Sequence, residues 1–298
     1  TGTITGMNGV SVSGSTTTAS TISNAGQIVG ASTIGVLMAA GSNNTIDNSG
    51  TITGVTVGVS LTGAGSTLSN QSGGTITGAT GVLMSATTGT IVNAGRITAT
   101  TTGVTLTGSG IVVTNAATGI VVGTTTGIQL GAAGQNLTNL GSITGTSGVI
   151  IGAAVGDATV TNRGTITATD TSAGYAVRFA RTSATNRLIT NTDGVIGGKI
   201  KLGTGVLELA TGTASGGGTI SGLGSIVLSV GTIAIDTGAK WQVGGASAGF
   251  NGVQINGFDN DDRLVLTDFV AVSDTFTGTS LILTDGLSNQ QTIAMTGT

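Results

Sequence analysis

The sequence predicts an all-β chain wound into a right-handed parallel β-helix (a β-solenoid), with about 23 residues and three short strands per coil. Three observations carry this: a recurrent asparagine, three aliphatic series that drift along the chain with it, and a complete lack of proline. Internal repetition of this length is the signature of a stacked architecture.

The asparagines are Asn24, Asn48, Asn70, Asn93, Asn115, Asn139, Asn162 and Asn191, at intervals of 24, 22, 23, 22, 24, 23 and 29 residues. Two positions before each stands an aliphatic: Ile22, Ile46, Leu68, Ile91, Val113, Leu137, Val160 and Ile189. Shortly after each comes a second aliphatic: Ile28, Ile52, Ile76, Ile97, Val121, Ile143, Ile166 and Ile196. The third series is glycine followed by Val10, Val36, Val59, Val82, Val104, Ile128 or Val149, and it departs at Gly174-Tyr175. Each repeat therefore reads as three alternating strands separated by Gly, Ser, Thr and Asn turns. A leucine-rich repeat would need its Leu-x-x-Leu-x-Leu pattern and a helical segment, and neither is present. Identical positions then stack about 4.8 Å apart, and the general preference of parallel crossovers supplies the right hand. Proline cannot donate to a ladder, so its absence suits a chain paired on both sides.

The asparagine series is expected to form an internal ladder at a tight corner, each amide in a left-handed backbone conformation and bonded to the next coil. Glycosylation is excluded at Asn24-Ala25-Gly26 and Asn93-Ala94-Gly95, which lack the hydroxyl residue two positions on. Residues 1–197 form the regular repeats. Residues 198–298 form modified coils and a C-terminal cap, because the asparagine series stops while Trp241, Phe250, Phe258, Phe269 and Phe276 appear. At the other end Ile4 already lies in register, 24 residues before Ile28, with no polar segment ahead of it. The expected partner is accordingly a second copy or further coils of a longer chain.

Composition removes other classes. With Val, Ile and Thr abundant and a net charge of -3, the chain is not of the disordered type. Its longest apolar stretch, Gly148 to Gly156, is too short for a membrane helix, and no signal peptide is visible. Nine Lys and Arg make no nucleic-acid footprint.

Repeats such as Asn48-Ser49-Gly50-Thr51-Ile52-Thr53-Gly54 and Asn162-Arg163-Gly164-Thr165-Ile166-Thr167 resemble those of large bacterial surface adhesins and autotransporter passenger domains. The tail Ile255-Asn256-Gly257-Phe258 with Asp261-Asp262-Arg263-Leu264-Val265-Leu266 is similar to segments that often end such regions. The resemblance implies an extracellular or outer-surface location, attachment or scaffolding to a surface glycan or host receptor, and no cofactor. Nothing in the sequence resembles the membrane β-barrel that ends an autotransporter.

Catalytic chemistry finds few candidates. Asp47 is the only carboxylate among the first 156 residues, so no acid pair for glycoside cleavage exists there. Without His or Cys, triads and the usual zinc sites are excluded. Asp259, Asp261, Asp262 and Asp268, around Arg263, read either as a solvated turn or as a calcium site. Arg178, Arg181, Arg187, Lys199 and Lys201 cluster where the repeat lengthens, and read as solubilising charge or as an anionic-glycan surface. The runs Thr16-Thr17-Thr18, Thr100-Thr101-Thr102 and Thr124-Thr125-Thr126 raise ice binding, which turns of variable length do not favour. The reading is a non-enzymatic rod, an adhesin shaft or fibre subunit; the alternative is a polysaccharide-binding or polysaccharide-cleaving β-helix.

Overall fold

The computed structural model describes residues 2–13, 18–39, 41–152, 155–180, 183, 185–213 and 216–297. The chain is a parallel β-solenoid of about 11 turns with coils about 23 residues apart. Among the described residues there is no α-helix, and one 3₁₀ turn spans Ser247–Phe250.

Three faces make each coil. On the first, Ile4, Ile28, Ile52, Ile76, Ile97, Val121, Ile143, Ile166 and Ile196 are successive partners in parallel ladders. On the second, the column runs Val10, Val36, Val59, Val82, Val104, Ile128, Val149 and Val177. On the third it runs Ile22, Ile46, Leu68, Ile91, Val113, Leu137, Val160 and Leu188. Alternation on a strand sends these residues inward and their neighbours outward. Most of the column is fully buried, from Val36, Ile46 and Ile52 at 0% exposure to Ile166 and Leu188. Burying each such side chain contributes roughly 1.5–3 kcal/mol, which suits a narrow core of columns.

Two column members differ from the spacing-based expectation. Leu188, not Ile189, follows Val160, and Val177, not Tyr175, follows Val149. The insertion in the 29-residue interval shifts the third-face strand by one residue, and a one-residue slip exchanges the two faces of a strand, whereas the second-face strand is displaced by two residues and keeps its face. A second inward column on the second face, Met38, Leu61, Met84, Leu106, Leu130, Ile151 and Phe179, belongs to none of the predicted series.

The glycine ahead of each second-face aliphatic is explained by close approach. A Cβ on Gly81 would sit 2.5 Å from Ile97 Cγ2 and 2.6 Å from the Gly103 carbonyl oxygen. Backbone from the adjoining coil occupies the place of a side chain.

Past the regular coils the three faces part company. The third continues in parallel through Val206–Ala210, Thr232–Ile235, Gln254–Phe258 and Gln290–Gly297. Two antiparallel strands, Ser280–Asp285 and Ala271–Phe276, then extend it. The second continues through Lys199–Lys201 to Val227–Leu228. On the first face, Val195–Gly197 pairs back to Thr165–Ala168, whereas Gly218–Leu223 pairs forward to Trp241–Gly245. No ladder joins Val195–Gly197 to Gly218–Leu223 among the described residues. One wall of the solenoid is open there.

Candidate functional site

Seven of the eight predicted asparagines form one continuous chain of side-chain amides. Nδ2 of Asn24, Asn48, Asn70, Asn93, Asn115 and Asn139 each donates to Oδ1 of the next member, ending at Asn162, over 2.8–2.9 Å. The second amide proton goes to backbone, as when Asn115 Nδ2 donates to the Gly119 carbonyl at 3.1 Å. The amides are buried, Asn48, Asn115, Asn139 and Asn162 at 0% exposure. In such surroundings each unpaired group would be costly.

Two details differ from the expectation. The ladder residues end third-face strands and none has positive φ; the non-glycine residues that do are Asn43, Thr88, Asp157, Ser229 and Ser288. A buried strand end supplies the amide geometry without left-handed backbone. Asn191 lies outside the column, because Thr190 takes the register position opposite Asn162. Asn162 Nδ2 turns instead to the Val195 carbonyl at 3.2 Å. Asn191 Nδ2 donates to the Thr211 carbonyl, and its Oδ1 is buried with no hydrogen-bond partner.

Three of the four C-terminal aspartates accept from backbone amides, and the fourth, Asp261, pairs with a lysine. Asp262 accepts from the Trp241 amide at 2.9 Å and the Asp259 amide at 3.0 Å. Asp259 accepts from the Asp261 amide at 2.8 Å, and Asp261 lies 3.2 Å from Lys240 Nζ. Asp268 accepts from the Ser247 amide at 2.6 Å and from its hydroxyl at 3.1 Å. The Ser247 amide bond, then its hydroxyl, hold the Asp268 carboxyl below its ordinary pKa, against some desolvation. No three carboxylates come together among the described residues in a way that could hold a metal ion. The calcium reading has no support in this arrangement.

The basic group is divided between faces. Arg187, on the third face, is ion-paired with Glu208. On the second face Arg178 stands opposite Lys201, and Tyr175 opposite Lys199. The Arg178 guanidinium lies 5.5 Å from the Tyr175 ring centre. Arg181 is outside the described residues, as are Thr16 and Thr17. Thr100, Thr101 and Thr102 belong to the long strand Arg96–Leu106 and not to a turn.

The opening in the first face holds a cleft of about 440 Å³. Ile196 and Ile220 border it from the two unjoined strands, and Ile200 and Val227 of the second face also line it. Trp241 forms part of its lining and is only 3% exposed. Its indole Nε1 donates to the Ala210 carbonyl at 3.2 Å, across 31 residues. The ring lies against Gly218, where a Cβ would fall 2.4 Å from it. Trp241 pairs with Gly218 in the ladder, at the position where regular coils place a glycine such as Gly141 or Gly164, while Val243 takes the aliphatic place beside Ile220. Thr192 lines both this cleft and a neighbouring one of about 200 Å³, and its Oγ1 is buried without a partner. Lys199 is the one titratable side chain of the larger cleft. The site offers strand edges, hydroxyls and one cation. It was not foreseen; the only signals were the single Trp, the Gly216-Gly217-Gly218 run beside it in space, and the long interval before Asn191.

Compared with family models, curated proteins and solved structures, the chain matches none.

Proposed function

We propose that this chain is a stiff, non-enzymatic rod segment of an extracellular or cell-surface bacterial protein, serving adhesion, spacing or matrix. The observation that carries the reading is the unbroken chain of seven buried amides, running beside parallel ladders on all three faces. Such a construction resists bending because every coil is bonded to both neighbours through backbone, amide and aliphatic column alike. About 11 turns at about 4.8 Å each give a shaft of roughly 50 Å. Both edges of a coil offer the same ladder chemistry, so further coils, from this polypeptide or another copy, extend the rod without a new interface. The resemblance of its repeats to bacterial adhesins supports the location.

Antibodies to the regular coils, applied to intact source cells, test it together with electron microscopy of the shed material. Surface labelling with thin unbranched rods is expected. Labelling only after permeabilisation, or compact particles, would overturn the proposal.

A further inference from the structure

We infer that the open first-face wall is a binding site for an extended peptide segment of a partner protein. The peptide adds as a parallel strand between Val195–Gly197 and Gly218–Leu223, with an acidic residue at its C-terminal end.

Elsewhere between the first and last strands of the first face each strand has a neighbour on each side, and here two strands each lack one on the side facing the same cleft. Unpaired backbone groups that face each other across a gap are the template for strand addition. The indole of Trp241, anchored on Ala210 and lying against Gly218, forms part of the cleft lining, so the opening is bordered by a fixed core side chain. An inserted strand in register with its neighbours would place an apolar side chain between Ile196 and Ile220 and hydroxyl-bearing ones outward. That is the Thr-Ile-Thr pattern the face itself uses at Thr51–Gly54 and Thr75–Thr77. Thr192 Oγ1, buried and unpartnered at the rim, supplies a side-chain hydrogen bond.

Direction and charge follow from the neighbours. Val195–Gly197 runs on through Gly198 to Lys199, so the C-terminal end of a parallel strand arrives at that lysine. Arg178 and Lys201 stand directly opposite each other beside it, and none of the three is in an ion pair among the described residues. Like charges in opposed positions repel. A carboxylate arriving there relieves that repulsion. Asp170 is the nearby acid, but hydrogen bonds from Ala173 and Ser172 depress its pKa chiefly, with the Lys199 charge the smallest cause. A glycan would answer the cations and hydroxyls but not two facing strand edges, which favours peptide.

The site does not depend on where the chain resides, and the test is separate from that of the rod. The probe is the synthetic peptide Ser-Gly-Thr-Ile-Thr-Gly-Asp, blocked at its N-terminus and titrated into the intact protein. Trp241, the only tryptophan, reports from the cleft. A saturable change in its emission is expected, with slowed amide exchange at Val195–Gly197 and Thr219–Ser221. The same peptide N-methylated at two alternate amides should bind about tenfold more weakly or worse, because the ladder bonds are gone. Lys199→Ala should weaken the acidic peptide and leave its Asp-to-Asn counterpart unchanged. No saturable change at millimolar peptide would overturn the proposal. So would equal binding of the N-methylated peptide, or polygalacturonate competing as well as the peptide does, which would make the cleft an anion or glycan site.

Discussion

Asn93 accepts from Asn70 and donates to Asn115 in the middle of the amide chain, both over 2.8 Å. Removing it leaves the Asn115 oxygen without its donor in a site closed to water. Buried groups left unpaired cost about 1–3 kcal/mol each, so Asn93→Ala should lower stability by about that much in urea unfolding. Asn191→Ala is the internal control. Its oxygen is already unpartnered and its amide makes one described bond, so the loss should be clearly smaller. Equal losses would mean that the column is not the source of the effect. Gly81→Ala probes the aliphatic columns from the other side. Its new methyl meets the Gly103 carbonyl, which is backbone and cannot step aside, and overpacking of this kind costs about 1–3 kcal/mol. The seven amides were legible because identity and spacing repeat. Asn191 was misplaced because sequence spacing does not show on which residue of a strand an insertion is absorbed.

At the scale of elements, the C-terminal strands depend on carboxylates in a way the regular coils do not. Asp285 accepts from the Asn289 side chain at 2.8 Å and from the Leu287 and Asn289 amides, closing the turn between two antiparallel strands. The Asn289 side chain chiefly, with those amides, holds its carboxyl below the ordinary value of 3.8. Asp268 behaves likewise through Ser247. A carboxyl depressed in the folded state contributes stability above its unfolded pKa and loses it as pH falls through the folded pKa. Acidification below about pH 4 should therefore loosen Ser247, Asp268 and Asp285–Asn289, while Thr90–Asn162 stays unchanged. An NMR amide titration reads this directly, and simultaneous loss of both sets of resonances would refute it. The sequence placed aromatics and charges in a modified C-terminal region, where the structure has the buried indole, the 3₁₀ turn and the last strands. It did not disclose that Ala271–Phe276 and Ser280–Asp285 run antiparallel, because an alternating strand looks the same in either pairing.

For the molecule as a whole, a solenoid's stability is a sum of coil terms and nearest-neighbour interfaces, so the weakest interface decides where it divides. Ladders cross the boundaries between regular coils on all three faces, but the boundary between Val195–Gly197 and Gly218–Leu223 is crossed on two only, through Lys201 to Leu228 and Leu188 to Leu207, and beyond it the second-face ladder ends at Val227–Leu228. The missing first-face ladder removes about three backbone bonds, each with a net contribution of roughly 0.5–1.5 kcal/mol. That interface should then be weaker than those between the regular coils by about 2–4 kcal/mol. Repetition made the regular coils readable from the sequence, whereas the opening is lined by one indole whose partners lie 23 and 31 residues away. Unfolding should be split as a result: amide exchange in rising urea should release residues 218–297 before Thr45–Asn162. Trp241 emission should follow the earlier transition. The peptide that enters the cleft should bring the two transitions together by replacing the absent ladder. One coincident transition for both segments without peptide would show that two faces suffice to couple the coils, and that the opening has no consequence for the rod.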